Sequence, residues 1–409
     1  MYENELINYT HRIKKKILYI SKEDFPWDIR TDKICSSLSE RYEVSILCRH
    51  QHNELESEYY NDIYIKRIGF SFKSIFWTFP LSINPIWKYE IEKYIKECKP
   101  NLIIVREMHL AYAAGKLAQK YNIPIIMDMA ENYPAAIKLW KKYNNSALKR
   151  YLFHKLKLAD NIEVNSLKYM NGVITVCDEQ HSRVQSLTKN ILSFKTIYNT
   201  PEKNTFSKKT NVISDKITFG HHGHLTAEKK INVLLKSFIL LCDLYYNSKS
   251  HNQANNIDFQ LLIAGDGDCF QDLTNIANKS EFKHRITFTG NYEYAKLNKI
   301  LDKIDVGVIP YEFNNFNNFT IHNKIFDFFA KGIPVIVSKA IPNANVVYST
   351  NSGIVCDCEI VEELTHSMFE IIGNKYNYYA ENSYFAFNNK YNWDIDSNNL
   401  IDFINDCIN

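Results

Sequence analysis

The chain has no long apolar run. Its longest stretches, such as Phe259 to Ala264, are far shorter than the roughly 20 residues that cross a bilayer. It has no excess of one charge either. Lys and Arg number 49 against 46 Asp and Glu, and the net charge of +3 leaves no bulk field to attract nucleic acid. It lacks a metal signature: the nine cysteines are scattered, and Cys356 and Cys358 stand one residue apart with no second pair nearby. An odd number of thiols, several inside apolar runs, suits a reduced cytoplasmic protein. The dinucleotide fingerprint is missing, because "GDGDCF" has no third Gly. There is no short fixed repeat. The first 21 residues place acids before a basic cluster and a short apolar stretch, which is not expected of a signal peptide.

What remains is ordinary and large. The 409 residues, 45% hydrophobic and 23% charged, allow two full cores. Short apolar strands alternate with helical patterns: "KILYIS", "YEVSILC", "DIYIKRI", "NLIIV", "IPIIMD", "GVITVC" and "KTIYN" in the first half. Unbroken apolar strands separated by helices predict a parallel sheet covered on both faces. The pattern breaks at "NTPEKNTFSKKTNVISD" and resumes with "KITFGHHG", "FQLLIAGDGD", "RITFTG", "DVGVIP", "GIPVIVS" and "GIVCD". The expected architecture is α/β, with two tandem Rossmann-like doubly wound domains facing across a cleft. The expected division is a first domain at 1–198, a linker at 199–215, a second domain at 216–385, and a C-terminal helix at 386–409 returning to the first. The Asn/Ser-rich stretch 247–256 reads as a loop inside the second domain. Open α/β sheets bind ligands beyond the carboxyl ends of their strands, so the cleft is the expected site.

Three stretches carry candidate chemistry. In "FGHHGHLTAEKKINVLLKSF", a strand, a Gly turn at Gly223 and Lys229 before a helix suit an anion such as a diphosphate. Taken alone, the stretch is more ordinarily a plain strand–loop–helix corner with a solvated Lys pair. In "NFTIHNKIFDFFAKGIPVI", Thr320 is a candidate helix cap, and Gly332 and Pro334 end the helix. Lys324, Asp327 and Lys331 share one face. That face is either a solvated ion-pair surface or a ligand cradle. In "KLWKKYNNSALKRYLFHKLK" (138–157), seven cations and no acid alternate with Trp140, Tyr143, Leu152 and Phe153, as in an interfacial basic helix.

The order of motifs resembles that of the family 4 glycosyltransferases of the GT-B fold. "FPWDIRTDKICSSLSERYEVSIL" is similar to that family's first loop and helix, and "IPIIMDMAENYP" to its "yDxHE" segment. "GVITVCDEQHSRV" and "IYNTPE" resemble the blocks that close the first domain. "HHGHLTAEKKINVLL", "LLIAGDGD", "ITFTGN" and "IDVGVIP…NKIFDFFAKGIPVIVS" resemble those of the second. The resemblance implies a retaining, metal-independent enzyme with no cofactor, using a nucleotide-diphosphate sugar. The acceptor would be a saccharide, including a lipid-linked one, in bacterial surface polysaccharide or glycoconjugate biosynthesis. The implied place is the cytoplasm, with a peripheral contact to an anionic membrane surface through 138–157.

The resemblance also assigns residues. Glu131, Lys229 and Lys324 fall on catalytic positions. Gly223, His224, Lys229, Lys230, Gly265, Asn323, Lys324 and Asp327 fall on the donor side, with Asp327 on the ribose. Apart from the resemblance, Asp28, Arg30, Arg106 and His109 follow the carboxyl ends of first-domain strands, where an acceptor would lie, and with Asp128 and Glu131 they form the expected acceptor side. The chain departs from the family pattern at Phe319, where an acid is usual, at His224 in place of Arg, at Lys230 in place of Gly, and at Ala130 in place of His. Two other functions fit the same order: a degenerate, non-catalytic nucleotide-sugar-binding partner, and a nucleotide-sugar epimerase.

Overall fold

The structure, a computed structural model, describes residues 14–50, 54–69, 81–209, 215–247 and 257–408. It contains two mainly parallel sheets. The first has eight strands: β1 (Lys16–Ile20), β2 (Glu43–Arg49), β3 (Ser57–Tyr60), β4 (Ile63–Ile68), β5 (Leu102–Arg106), β6 (Ile125–Met129), β7 (Gly172–Thr175) and β8 (Ser193–Thr196). Their order is β3-β4-β2-β1-β5-β6-β7-β8, and only the β3–β4 pair is antiparallel. The second has six: β9 (Lys216–His222), β10 (Asp258–Ala264), β11 (Ile286–Phe288), β12 (Val306–Ile309), β13 (Val335–Ser338) and β14 (Gly353–Cys356). These run in the order β11-β10-β9-β12-β13-β14, all parallel.

The apolar strands are continuous because both of their faces are covered. In β1, Leu18 and Ile20 enter one core, and Ile17 and Tyr19 enter the core on the opposite face. β3 escaped the sequence reading because "SEYY" is half exposed and polar on one side. The last helix, Trp393–Ile408, packs on the helix Ile29–Ser39 of the first sheet. Leu400 and Ile404 share the core of Ile34 and Leu38, and the Trp393 indole donates to Ser37 Oγ at 3.0 Å. The linker positions 210–214 and the loop positions 248–256 lie outside the described residues.

The basic stretch 138–157 is not the single amphipathic helix expected. It comprises the end of the helix Tyr133–Leu139, two four-residue turns (Lys141–Asn144 and Ala147–Arg150) and a π turn, Tyr151–Lys155. Three of its aromatics turn inward, while Tyr151 stays exposed: Tyr143 stacks on Trp140 at 6.2 Å and meets Phe153 edge-on at 5.3 Å. Lys138 pairs with Asp160 of the next helix at 2.8 Å. Among the described residues, no helix is long and apolar enough to cross a membrane.

Each sheet has a topological switch, between β1 and β5 in the first and between β9 and β12 in the second. Loops leaving strands on either side of a switch diverge and open a crevice. The two crevices face each other.

Candidate active site

A cleft of about 960 Å³ lies between the sheets. From the first come Asp28, Arg30, Arg106 and Glu131; from the second, Gly223, His224, Lys229, Asn323, Lys324 and Asp327. Four sequence candidates do not line it: His109, Asp128, Lys230 and Gly265.

The second half is built around two glycines. Gly223 leaves β9 with φ +108, and its amide donates to Ala264 O at 2.8 Å. Its contribution is therefore a missing side chain, not a free N–H. Gly265, at φ +139, sits behind it: a Cβ there would lie 2.0 Å from Gly223 O. Gly265 thus shapes the turn that Gly223 makes and does not face a ligand. The turn Ala227–Lys229 returns the Lys229 ammonium to His224 O at 2.6 Å. Burial lowers the Lys229 pKa, against the carboxylates of Glu228 and Glu131. Lys230 takes the left-handed conformation at φ +51, where Gly is usual, and its ammonium turns away to Glu312 at 3.2 Å.

The helix Lys324–Lys331 opens toward the cleft. Asn323 at its cap position makes no side-chain cap bond, and the first turn presents a partial positive charge. Thr320 does not cap it: this residue is extended, and its Oγ1 has no hydrogen-bond partner among the described residues. The polar face is not solvated either. Lys331 is fully buried and bonds Asp302 at 2.5 Å and Asn298 at 2.9 Å, so it is an internal tie. The Lys324 ammonium donates to the Tyr311 hydroxyl and lies 4.8 Å from that ring's centre. Burial, reinforced by the Lys229 charge, holds its pKa well below the usual value. One turn on, Asp327 stands 3.6 Å from His222 Nε2. Burial pushes its carboxyl up to about 7, with Lys33 and Lys324 opposing. Burial, with the Lys324 and Lys229 charges, holds the His222 pKa well below its usual value. Phe319 presents no carboxylate. It lies under the Arg183 guanidinium at 5.9 Å, and Arg183 is itself paired with Glu163 at 2.9 Å.

The first half is a closed charge network. Asp28 caps its helix through Arg30 N at 3.0 Å. The Arg30 fork grips Asp128 at 2.8 and 3.0 Å and donates to Ile197 O at 2.9 Å. Arg106 reaches Asp28 and Asp128, each at 3.2 Å, and Glu107 at 3.1 Å. Burial works against ionisation of Asp128, yet the two guanidinium groups hold its carboxyl below the usual range. Asp128 is fully buried and organises the arginines from behind. His109 meets the Tyr133 ring edge-on at 4.5 Å. Lys33, Tyr292, Tyr294 and His222 line the cleft and were missed. Only Lys33 carried a signal, one helical turn after Arg30.

Similarity to known proteins agrees with this geometry. Residues 216–374 match the family described as Glycosyl transferases group 1. No curated protein matches the chain by sequence. Among solved structures, sucrose-phosphate synthase from Thermosynechococcus elongatus superposes with a TM-score of 0.74 at 14% identity, over 96% of this chain and 99% of that one. The HepE protein of Anabaena, in complex with UDP and glucose, gives 0.69 at 13% identity, over 96% and 100%. The lipopolysaccharide outer core galactosyltransferase WaaB, in its apo form, gives 0.65 at 13% identity, over 94% and 99%. The fold is GT-B, two Rossmann-like domains across a cleft. Within that class, the second domain carries the group 1 glycosyl transferase match.

Proposed function

We propose that the protein is a retaining glycosyltransferase, moving a sugar from a nucleoside-diphosphate donor to a saccharide acceptor. The observation that carries this is the convergence of Lys229, Lys324, the open helix start at Asn323 and the bare Gly223 on one wall of the cleft. As the bond from sugar C1 to the diphosphate breaks, negative charge grows on the leaving oxygen. Fixed cations and helix N–H dipoles oppose that charge without reorganising. The acceptor oxygen bonds C1 on the same face, and its proton passes to the departing phosphate. Asp327 accepts from the ribose hydroxyls. Glu131 faces the pair from the first domain and orients the acceptor. The protein supplies this charge itself, so the reading requires no metal or cofactor. The solved relatives that hold UDP or UDP-glucose support a nucleotide-sugar donor.

Substitution tests the site. Lys229→Ala and Asp327→Ala are each expected to abolish transfer while the melting temperature holds. Wild-type transfer rates in both would exclude this wall. Incubation with donor alone separates transfer from epimerisation. We also propose that the acceptor is lipid-linked and approached from a cytoplasmic membrane surface. Exposed Leu148, Tyr151 and Leu156, among Lys149, Lys155 and Lys157, support this contact. Failure to float with anionic liposomes at physiological salt would remove it.

A further inference from the structure

The most unusual backbone in the first half of the cleft belongs to a residue that does not line it. Glu107 follows β5 with φ 60 and ψ 172, a region that side chains avoid and glycine tolerates. It is 4% exposed. One carboxyl oxygen accepts from the Ala130 amide at 3.0 Å and meets Arg106 Nη1 at 3.1 Å. The other, Oε2, is buried with no hydrogen-bond partner among the described residues. The Glu107 amide donates to Asp128 O at 2.9 Å. A glycine here would relieve the backbone and bury no orphan oxygen. Strain and an unsatisfied acceptor together point to a retained task.

We propose that Glu107 is a positioning residue, which acts by holding the turn Ala130–Glu131 so that Glu131 faces the reacting sugar. This rests on the glycosyltransferase reading. The link is direct, since the amide it holds immediately precedes Glu131. Arg106 fixes the same carboxyl from β5 and also binds Asp28 and Asp128. Through Arg106, the Glu107 carboxyl therefore ties the loops after β1, β5 and β6 into a single frame.

Its neutral form suits that place. Burial pushes the Glu107 carboxyl up to about 8, helped by the charges of Glu131 and Asp128 and opposed by Arg106. The facing groups are Arg106 on its own strand, Asp128 on β6, Glu131 in the following turn and Tyr133 beyond it. Below that value Glu107 holds a proton and sits beside Glu131 without repulsion. Above it, a second carboxylate forms against Glu131 and Asp128, and the frame loosens.

The test uses Glu107→Gly and Glu107→Gln in the full chain. Glu107→Gly should lower kcat by about 10- to 100-fold, the cost of a small misplacement, while its melting temperature stays level or rises. Amide exchange at Ala130 should quicken. Glu107→Gln keeps the acceptor for Ala130 and should restore transfer at pH 7. It should also abolish the fall in rate above pH 8 that the raised Glu107 carboxyl predicts for wild type. Binding of nucleoside diphosphate should be unchanged in both, because Glu107 lies outside the donor half. Unchanged transfer in Glu107→Gly overturns the proposal. So does parallel loss of melting temperature and rate in both variants, which marks a merely structural residue. If wild type binds no nucleoside diphosphate and transfers nothing, the transferase reading fails, and exchange at Ala130 alone then decides whether Glu107 holds the turn.

Discussion

Lys324 should trade stability for affinity. Its ammonium is half-buried beneath Gly223, 3.4 Å from where a Cβ would stand there, and has the Tyr311 hydroxyl as its hydrogen-bond acceptor. Burial and the Lys229 charge oppose its proton, and only Asp327 favours it. Without ligand the site therefore carries an undercompensated cation. Lys324→Met keeps the stem and the packing on Tyr311 but deletes the charge. Removing a buried charge that lacks a full partner should raise the melting temperature or leave it level. Binding should move the other way. A hydrogen bond to a charged group contributes about 1.5–3 kcal/mol, so nucleoside diphosphate should bind roughly 10- to 150-fold more weakly. A diphosphate should raise the suppressed ammonium pKa, so binding to wild type should be coupled to proton uptake over the pH range in which that ammonium titrates. Titration calorimetry in buffers of different ionisation enthalpy reads affinity and proton uptake together. An affinity within about threefold of wild type, with unchanged proton uptake, would refute the assignment.

Three further outcomes follow from the same contacts. Gly265→Ala places a Cβ 2.0 Å from Gly223 O; it should cost about 1–3 kcal/mol and weaken nucleoside diphosphate binding, read by chemical denaturation and calorimetry. Asp128→Asn leaves Arg30 and Arg106 buried with one fewer charge partner; it should destabilise by about 3–5 kcal/mol, seen as a lower denaturation midpoint with no change in slope. Asp396 accepts from Thr200 Oγ1 at 2.6 Å, and burial pushes its carboxyl up to about 7. A raised carboxyl binds its proton more tightly folded than unfolded, so this group's stabilisation is present near pH 4 and lost as pH rises through 7. The wild-type melting temperature should fall more steeply over that window than that of Asp396→Asn.

The departures at Phe319 and Lys230 acquire physical content from the structure. Phe319 is packed under Arg183, whose charge is already met by Glu163, so nothing in that contact replaces a carboxylate facing a sugar. Lys230 accepts a left-handed backbone, and an ion pair to Glu312 holds its side chain off the site. A donor screen read by nucleotide release would identify which sugar this altered end accepts.

By itself, the sequence determined the elements and their class. Strand and helix periods, with Gly and Pro at the breaks, are local properties, and they marked β1, β5, β9 and β12 and the helix Ile231–Tyr246. Motif order picked out one wall of the cleft, because Gly223, Lys229, Lys324 and Asp327 follow strand ends in fixed succession. Only the tertiary structure decided burial and partnership. Lys324, Asp327 and Lys331 share one helical face, yet two meet the cleft and the third is an internal tie to Asp302. Asp128 and Arg30 lie 98 positions apart and form one ion pair. Glu107 showed no pattern at all, since its role arises from where three loops converge. Chain spacing encodes which face a residue takes; what stands opposite that face is set by packing between distant segments.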